Sequence, residues 1–338
     1  MNEHLSTTDL PPALDSAPVT LDRRRLLGTA GLLLGGLAAA QAEAQAPASA
    51  AALDAKYFPG FRTQRTDVNG VGIHTLVGGE GPPVLLLHGA PQSHLSWAEV
   101  AVALARNYTV VVTDLRGYGW SSKPDGGEKS INYSKRTMAQ DQVDVMTSLG
   151  FDQFHLVGHD RGGRVARRLT IDHPGNVRSL TVLDIVPAHY LYDHVTREFV
   201  EAYFHWFLLI RPAPFPENVL ASTGMFLGGG PGDIGASWAE VYKDPAAIHA
   251  MCEDYRASAG MDIGIDKADL AAGKRITCPL NVLWGDKAAM GRQYDVLSIW
   301  KEEATRAEGK AMPGGHTFQM DSPAETAAEL LRFFAAQA

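Results

Sequence analysis

The sequence predicts an α/β fold, in which a mostly parallel β-sheet carries helices on both of its faces. Short apolar runs of the kind found in buried parallel strands recur along the chain. Segments with helical periodicity lie between these runs, and alternation of strand and helix is the pattern of a parallel sheet. The length of 338 residues is enough for one such core with an insertion.

The first predicted elements are two antiparallel strands within residues 61–80. The turn-forming pair Asn69-Gly70 comes directly before the second of them. Five apolar runs follow as parallel strands, and a weak strand pattern before Gly314 completes a sheet of eight strands. The parallel strands are predicted at Val84–Leu87, Thr109–Val112, His155–Val157, Leu180–Leu183 and Leu280–Leu283, and the helices at Trp97–Ala105, Lys135–Leu149, Gly163–His173 and Pro323–Ala336.

One segment interrupts the alternation of strands and helices. Residues 187–258 are helical in pattern and rich in aromatic residues and proline, and they contain no clear strand. Because this segment follows the sixth strand, it would lie above the carboxyl ends of the strands, where ligands bind in such folds. We therefore predict a helical cap at 187–258, inserted between two parts of the core at 45–186 and 259–338.

The N-terminal 44 residues have the plan of an export signal. Arg23-Arg24-Arg25 precede an apolar stretch rich in glycine and alanine, and a series of small residues follows it. Adjacent arginines at this place are typical of twin-arginine signals. A membrane anchor is the alternative, but an apolar stretch of ~15 residues is short for a bilayer span. We predict cleavage after Ala44 and a periplasmic or otherwise exported protein without a stable membrane span.

Charge and cysteine content exclude some other properties. The formal net charge is −8 and no basic stripe follows the signal, so there is no electrostatic reason to expect nucleic acid as a partner. Cys252 and Cys278 are the only cysteines, which allows at most one internal disulfide. Two buried free thiols are the favoured interpretation.

The candidate nucleophile is Asp160, at the centre of Gly158-His159-Asp160-Arg161-Gly162. This run follows an apolar strand and opens a helical pattern, which is the context of a nucleophile elbow. An aspartate helix cap is the alternative, but it does not explain both glycines. A carboxylate that attacks an acyl carbon forms an unstable anhydride, whereas attack on a saturated carbon forms an ester that water can cleave. The predicted substrates are therefore alkyl halides or epoxides.

Hydrolysis of such an ester needs a base and an oxyanion site. His316 follows Gly314-Gly315 near the C-terminus and is the candidate base. Asp184 and Asp286 both follow strands and are alternatives for the acid that orients it, with Asp184 preferred. The backbone N–H groups of Ala90 and Arg161 are the expected oxyanion donors.

Several motifs resemble those of the haloacetate (fluoroacetate) dehalogenases of the α/β-hydrolase superfamily. The resemblance runs from about residue 60 to residue 335 and includes the Asp160 elbow with its two arginines. The other motifs are His88-Gly89-x-Pro91-Gln92, Asp114-Leu115-Arg116-Gly117-Tyr118-Gly119, Tyr133-Ser134-Lys135-Arg136, Asp184-Ile185-Val186-Pro187, His205-Trp206, Arg211-Pro212-Ala213-Pro214 and Cys252-Glu253-Asp254-Tyr255-Arg256.

This resemblance implies the α/β-hydrolase fold and a role for each site residue. Asp160 would be the nucleophile, His316 the base and Asp184 its partner. Arg161 and Arg164 would bind the carboxylate of the substrate, since a guanidinium fork fits a planar carboxylate. The halide would be surrounded by donors from His205, Trp206 and Tyr255. The implied partners are a small 2-haloacid and water, no metal or cofactor is expected, and homodimerisation is left open.

Two rival functions remain open. An epoxide hydrolase shares the aspartate nucleophile but needs two cap tyrosines; the candidates are Tyr255 with Tyr190, Tyr192 or Tyr203. The paired arginines argue against it, because a neutral epoxide does not need them. A non-catalytic binding protein would have a broken triad, whereas all three members are present here.

Ala90 stands where the family usually has a bulky apolar residue, which predicts a roomier pocket.

Overall fold

The computed structural model describes residues 50–337, and the predicted export signal lies outside them. The described residues contain one eight-stranded sheet with the strand order β1-β2-β4-β3-β5-β6-β7-β8. The pairs β1–β2 and β2–β4 are antiparallel, and the remaining pairs are parallel. The strands are β1 (Arg62–Val68), β2 (Val71–Gly78), β3 (Pro83–Leu87), β4 (Thr109–Thr113), β5 (Phe154–His159), β6 (Val177–Leu183), β7 (Leu280–Gly285) and β8 (Ala307–Met312).

Helices connect the strands and cover both faces of the sheet. They are α1 (Ala50–Tyr57), α2 (Ala98–Leu104), α3 (Lys135–Ser148), α4 (Asp160–Asp172), α5 (Ala188–Asp193), α6 (Arg197–Tyr203), α7 (His205–Leu209), α8 (Phe215–Thr223), α9 (Gly232–Val241), α10 (Pro245–Ala257), α11 (Ile263–Ala271), α12 (Ala289–Gln293), α13 (Val296–Glu303), α14 (Phe318–Asp321) and α15 (Pro323–Ala335). Short 3-10 turns lie at His94–Trp97, Glu128–Tyr133 and Pro174–Asn176, and a π-helical turn lies at Ser258–Asp262.

Apolar side chains from successive residues of the central strands point to opposite faces of the sheet. In β3, Leu85 and Leu87 belong to one buried cluster, while Val84 and Leu86 belong to another. Side chains alternate along a strand, so a strand that is apolar at every position must be buried on both faces. The continuous apolar runs in the sequence therefore correspond to strands between two layers of helices.

The segment between β6 and β7 contains the seven helices α5 to α11, joined by loops. The helices α10 and α11 follow each other directly through the π-helical turn, so the helical segment extends past residue 258 as far as Ala271. The boundary predicted at residue 258 thus falls inside a helical run, and the division into domains stays a prediction. A π-helical turn is often found at functional sites.

The structure confirms the fold class and the eight-stranded sheet. The third predicted helix begins earlier than expected, at Asp160 rather than at Gly163. Both cysteines are free thiols; Cys252 is buried and Cys278 is partly buried. Within residues 50–337, the structure contains no helix that is long and apolar enough to cross a bilayer.

Candidate active site

Asp160 stands at a sharp bend between β5 and α4. Its φ angle is 45°, in the left-handed region that residues with a side chain seldom adopt. The two glycines of the motif have no room for a side chain. A Cβ on Gly158 would lie 2.5 Å from the carbonyl oxygen of Gly162, and a Cβ on Gly162 would lie 2.5 Å from that of His88. The bend thus needs glycine at both positions, as a nucleophile elbow does.

His316 lies in the loop between β8 and α14, and its Nδ1 atom is 2.6 Å from Oδ2 of Asp184. Asp184 follows β6 directly and is buried, and its Oδ1 accepts a hydrogen bond from the Gly285 N–H at 3.0 Å. The other sequence candidate, Asp286, accepts the Gly314 N–H at 2.9 Å instead. Asp184 is therefore the acid that contacts His316. A proton held on Nδ1 leaves Nε2 free to accept another.

His159 is a further residue of this site that the sequence analysis did not assign. Its Nε2 atom lies 2.8 Å from the carbonyl oxygen of His316, and the two ring centroids are 4.7 Å apart. Burial lowers the pKa of His159 to about 3, so the ring is neutral and its Nε2–H can donate to that carbonyl. His159 thus ties the loop that carries His316 to the elbow.

The ionisation of Asp160 and His316 is coupled. Burial alone would raise the pKa of Asp160, but His316, His159, Arg161 and Arg164 outweigh burial and the pKa falls below its usual value. Burial alone would lower the pKa of His316, but the hydrogen bond that its Nδ1–H donates to Asp184 and the charges of Asp184 and Asp160 raise it. Asp160 is therefore an anion at neutral pH, and its charge favours the protonated form of His316.

One of the two expected oxyanion donors contacts Asp160 directly. The backbone N–H of Ala90 donates to Oδ2 of Asp160 at 3.1 Å. The backbone N–H of Arg161 makes no hydrogen bond to this carboxylate within the part of the chain that the structure describes. It lies in the first turn of α4, where N–H groups have no acceptor within the helix. The Arg161 N–H therefore has no acceptor within the helix and is available as a donor next to the nucleophile.

The nucleophile opens into a cavity of about 200 Å³ between the sheet and the helical segment. Its wall contains all three predicted halide-binding residues, His205, Trp206 and Tyr255. Among residues 50–337, none of their side chains has a hydrogen-bond partner, so their N–H and O–H groups remain available to a ligand. The complete wall consists of Ala90, Pro91, Asp160, Tyr203, His205, Trp206, Leu209, Phe226, Gly228, Met251, Tyr255 and His316.

Tyr203 is also in the cavity wall, where its ring centroid lies 6.3 Å from that of His316. Burial raises the pKa of its hydroxyl, so the group is protonated and can donate. The sequence analysis named Tyr203 only as one of three tyrosines that could pair with Tyr255. The other two, Tyr190 and Tyr192, do not line this cavity.

The two predicted carboxylate-binding arginines lie one layer beyond the cavity wall. The guanidinium of Arg161 lies over the ring of Tyr255, with its Cζ 4.2 Å from the centroid. That of Arg164 lies over the ring of Trp206 at 4.7 Å. Neither arginine forms part of the wall itself. Both cations therefore lie against aromatic rings that belong to the cavity wall.

Arg161 is fully buried and is held by residues of α10 and the π-helical turn. Its Nε atom donates to Oδ2 of Asp254 at 2.9 Å, and its Nη2 atom donates to Oδ1 of Asp254 and to Oγ of Ser258. Lys135 also contacts Asp254, so two cations share one carboxylate. The Nη1 group of Arg161 has no partner among the described residues. The Nη1 group of Arg161 is thus left as a donor for a ligand.

Arg164 differs from the other three arginines of α4, although all four are buried. Within residues 50–337 it has no carboxylate partner; its one hydrogen bond is from Nη1 to the carbonyl oxygen of Val186 at 3.1 Å. Its Nε atom has no partner. Burial lowers its pKa only to about 10, so it remains a cation at neutral pH. The carboxylate partners of the other three are Asp254 for Arg161, Asp266 and Glu303 for Arg167, and Asp172, Asp266 and Asp269 for Arg168.

A buried cation that contacts no carboxylate is costly, and an anionic ligand would supply the missing contact. The site therefore combines an ionised carboxylate at an elbow, a histidine–aspartate pair, unpaired N–H and O–H donors, and an unpaired arginine. Such an arrangement can hold an anionic ligand with a saturated carbon next to Asp160.

Comparison with known proteins finds relatives of this chain. Residues 82–323 match the model of a family described by its α/β hydrolase fold. A fluoroacetate dehalogenase from Burkholderia sp is 44% identical over 289 residues, which cover 82% of this chain and 94% of the relative. A soluble epoxide hydrolase from Corynebacterium sp. (strain C12) is 30% identical and covers 79% of this chain and 95% of the relative. A crystal structure of a protein from Nostoc sp PCC 7120, assigned to the α/β hydrolases, is 44% identical with a TM-score of 0.78, covering 81% of this chain and 98% of that one.

Proposed function

We propose that this chain, which belongs to the α/β hydrolase family and within it to the fluoroacetate dehalogenases, hydrolyses small 2-haloacids such as haloacetates to the 2-hydroxy acid and halide. The observation that carries the proposal is Arg164, a buried cation without a carboxylate partner on the helix that begins with the nucleophile. A 2-haloacid supplies both the missing anion and a saturated carbon that bears a leaving group.

In the first step, Oδ1 of Asp160 attacks C2 of the substrate from the side opposite the halogen. The new C–O bond forms as the C–halogen bond breaks, and the halide leaves with the bonding electron pair. Arg161 and Arg164 bind the substrate carboxylate and hold C2 in line with the nucleophile. His205, Trp206 and Tyr255 donate hydrogen bonds to the halide, whose charge develops in the transition state.

In the second step, Nε2 of His316 removes a proton from water, and the resulting hydroxide attacks the ester carbonyl of Asp160. The Ala90 N–H already lies at 3.1 Å from one oxygen of this group and stabilises the oxyanion that forms. Cleavage of the acyl–oxygen bond releases the 2-hydroxy acid, whose alkoxide oxygen takes up the proton from His316. The carboxyl group of Asp160 then loses the proton of the added hydroxide to solvent, which restores the carboxylate.

Formation of the ester also prepares His316 for its role. In the free enzyme the negative charge of Asp160 is one of the causes that raise the pKa of His316. The ester is neutral, so this cause disappears as soon as the substrate is bound covalently. The pKa of His316 then falls, and a larger fraction of the imidazole is in the neutral form that can act as a base.

Epoxide hydrolysis is a second candidate, because Tyr203 and Tyr255 both line the cavity and could protonate an epoxide oxygen. The Corynebacterium relative also bears that name. A neutral epoxide would leave Arg164 without a carboxylate contact, and this favours the haloacid.

The test is to incubate the purified protein with fluoroacetate, chloroacetate and a panel of epoxides, and to measure halide and diol. We expect halide from the haloacids and no diol, and we expect Asp160→Asn to abolish turnover. Diol formation without halide release would assign the chain to epoxide hydrolysis. An unchanged rate in Asp160→Asn would exclude a covalent mechanism through this residue.

We further propose that the chain is exported through a twin-arginine signal at residues 1–44, on the sequence pattern described above. Replacing Arg24 and Arg25 by lysine should retain the protein inside the cell. Fractionation and N-terminal sequencing of the exported form test this, and a mature protein that still begins at Met1 would contradict it.

A further inference from the structure

The cavity is larger than a haloacetate needs. A buried water requires about 10–15 Å³ of such space, so a cavity of about 200 Å³ has room for on the order of ten waters. A haloacetate has only two carbons, one halogen and the two carboxylate oxygens. After its carboxylate reaches the arginines and its halogen reaches the donors, much of the cavity is left over.

The wall of this cavity is apolar in half of its residues. Leu209, Phe226 and Met251 contribute side chains, whereas Ala90 and Gly228 contribute a methyl group or none. Ala90 lies beside the nucleophile, since its N–H donates to Asp160.

A second substituent on C2 has only this part of the wall to face. C2 carries the carboxylate, the halogen and two further substituents, which in a haloacetate are both hydrogen. The carboxylate is directed to Arg161 and Arg164, and the halogen to His205, Trp206 and Tyr255. A substituent in place of one hydrogen therefore extends toward apolar side chains, and burying it is favourable.

We propose that the preferred substrates are 2-haloacids with an apolar substituent on C2, from ethyl to phenyl in size, rather than haloacetates. This inference rests on the proposed function and specifies its substrate class. Each buried methylene strengthens binding by about fourfold, so an ethyl substituent should lower KM by roughly tenfold relative to the unsubstituted acid.

The test measures the KM of the purified enzyme for bromoacetate, 2-bromopropanoate, 2-bromobutanoate and 2-bromo-2-phenylacetate. We expect KM to fall along the aliphatic series, by roughly tenfold from bromoacetate to 2-bromobutanoate. KM is the informative constant, because substitution at C2 slows displacement chemically and lowers kcat in any enzyme. An equal or higher KM for the longer acids would overturn the inference.

Ala90→Leu enlarges a side chain of the cavity wall beside the nucleophile and is the test variant. The oxyanion donor at this position is a backbone N–H, which the substitution retains. We expect it to lower the kcat/KM ratio of 2-bromobutanoate to bromoacetate by at least tenfold. Ala328→Leu is the matched control, because Ala328 is exposed on α15, and its ratio should equal that of the wild type. An unchanged ratio in Ala90→Leu would contradict the proposal.

Failure of this inference is distinguishable from failure of the proposed function. If bromoacetate is hydrolysed but the substituted acids are bound no better, the cavity does not select an apolar substituent while the dehalogenase activity stands. If no acid of the series releases bromide, the proposed function itself is wrong. A thermal melt of each variant shows whether it is folded, and the wild-type series decides the question without any variant.

Discussion

Replacement of Arg164 by glutamine separates anion recognition from the rest of the chemistry. Arg164 has an unpartnered Nε group and no carboxylate partner among the described residues, so its remaining N–H groups are free for the substrate. A hydrogen bond to a charged group is worth about 1.5–3 kcal/mol. Losing one or two such bonds costs about 2–4 kcal/mol, which lowers kcat/KM for chloroacetate by roughly 30- to 700-fold.

The assay compares chloroacetate with the neutral chloroacetamide, which presents the same carbon and halogen without the charge. Arg164→Gln should lower kcat/KM for chloroacetate and change that for chloroacetamide by less than about threefold. Equal losses for both substrates would refute the reasoning, because the arginine would then act on something other than the substrate charge.

The stability of two variants provides an independent check. Arg164→Gln removes a buried charge that has no carboxylate partner, so the free energy of unfolding should change by no more than about 1 kcal/mol. Arg167→Gln is the matched control on the same helix. It breaks buried ion pairs with Asp266 and Glu303 and should cost about 3–5 kcal/mol. Comparable destabilisation of the two variants in denaturant titrations would contradict this account.

The remaining predictions concern His316 and Asp184. His316→Asn should release one halide per active site and then stall, and mass spectrometry of the protein should detect the trapped ester; continued turnover would exclude His316 as the base. Asp184→Asn should keep the first halide burst but slow ester hydrolysis by about 10²–10⁴-fold, since the histidine loses its oriented, charged partner; equal slowing of both steps would argue for a general structural defect. Ester hydrolysis should slow as the pH decreases through the pKa of His316, because the base must be neutral; this pKa is lower in the ester than in the free enzyme, where the charge of Asp160 helps to raise it. The halide burst should persist to lower pH than turnover does, because the pKa of Asp160 is lowered and its carboxylate stays ionised; a burst that titrates together with turnover would contradict the separate roles.

Sequence reasoning reached the parts of the site that depend on local geometry. The elbow is an example, because the requirement for Gly158 and Gly162 arises from contacts within a few residues of the bend and with the neighbouring strand. The alternation of apolar runs and helical segments likewise predicted the central parallel strands, since a strand buried on both faces is apolar at successive positions.

The parts that the sequence left open depend on how distant segments meet. Asp184 and Asp286 both follow strands that are adjacent in the sheet, and only the position of the His316 loop decides between them. The partner of Arg161 is Asp254, which is 93 residues away and is brought to the arginine by α10. No local pattern encodes such a contact.

The most direct test of the covalent mechanism is a single turnover in heavy-oxygen water with enzyme in excess over chloroacetate. If Asp160 attacks C2, the hydroxyl oxygen of the first product comes from the protein, so the product is unlabelled and the peptide that contains Asp160 gains one heavy oxygen. If water attacks C2 directly, the first product carries the label and the peptide does not, and that result would contradict the account.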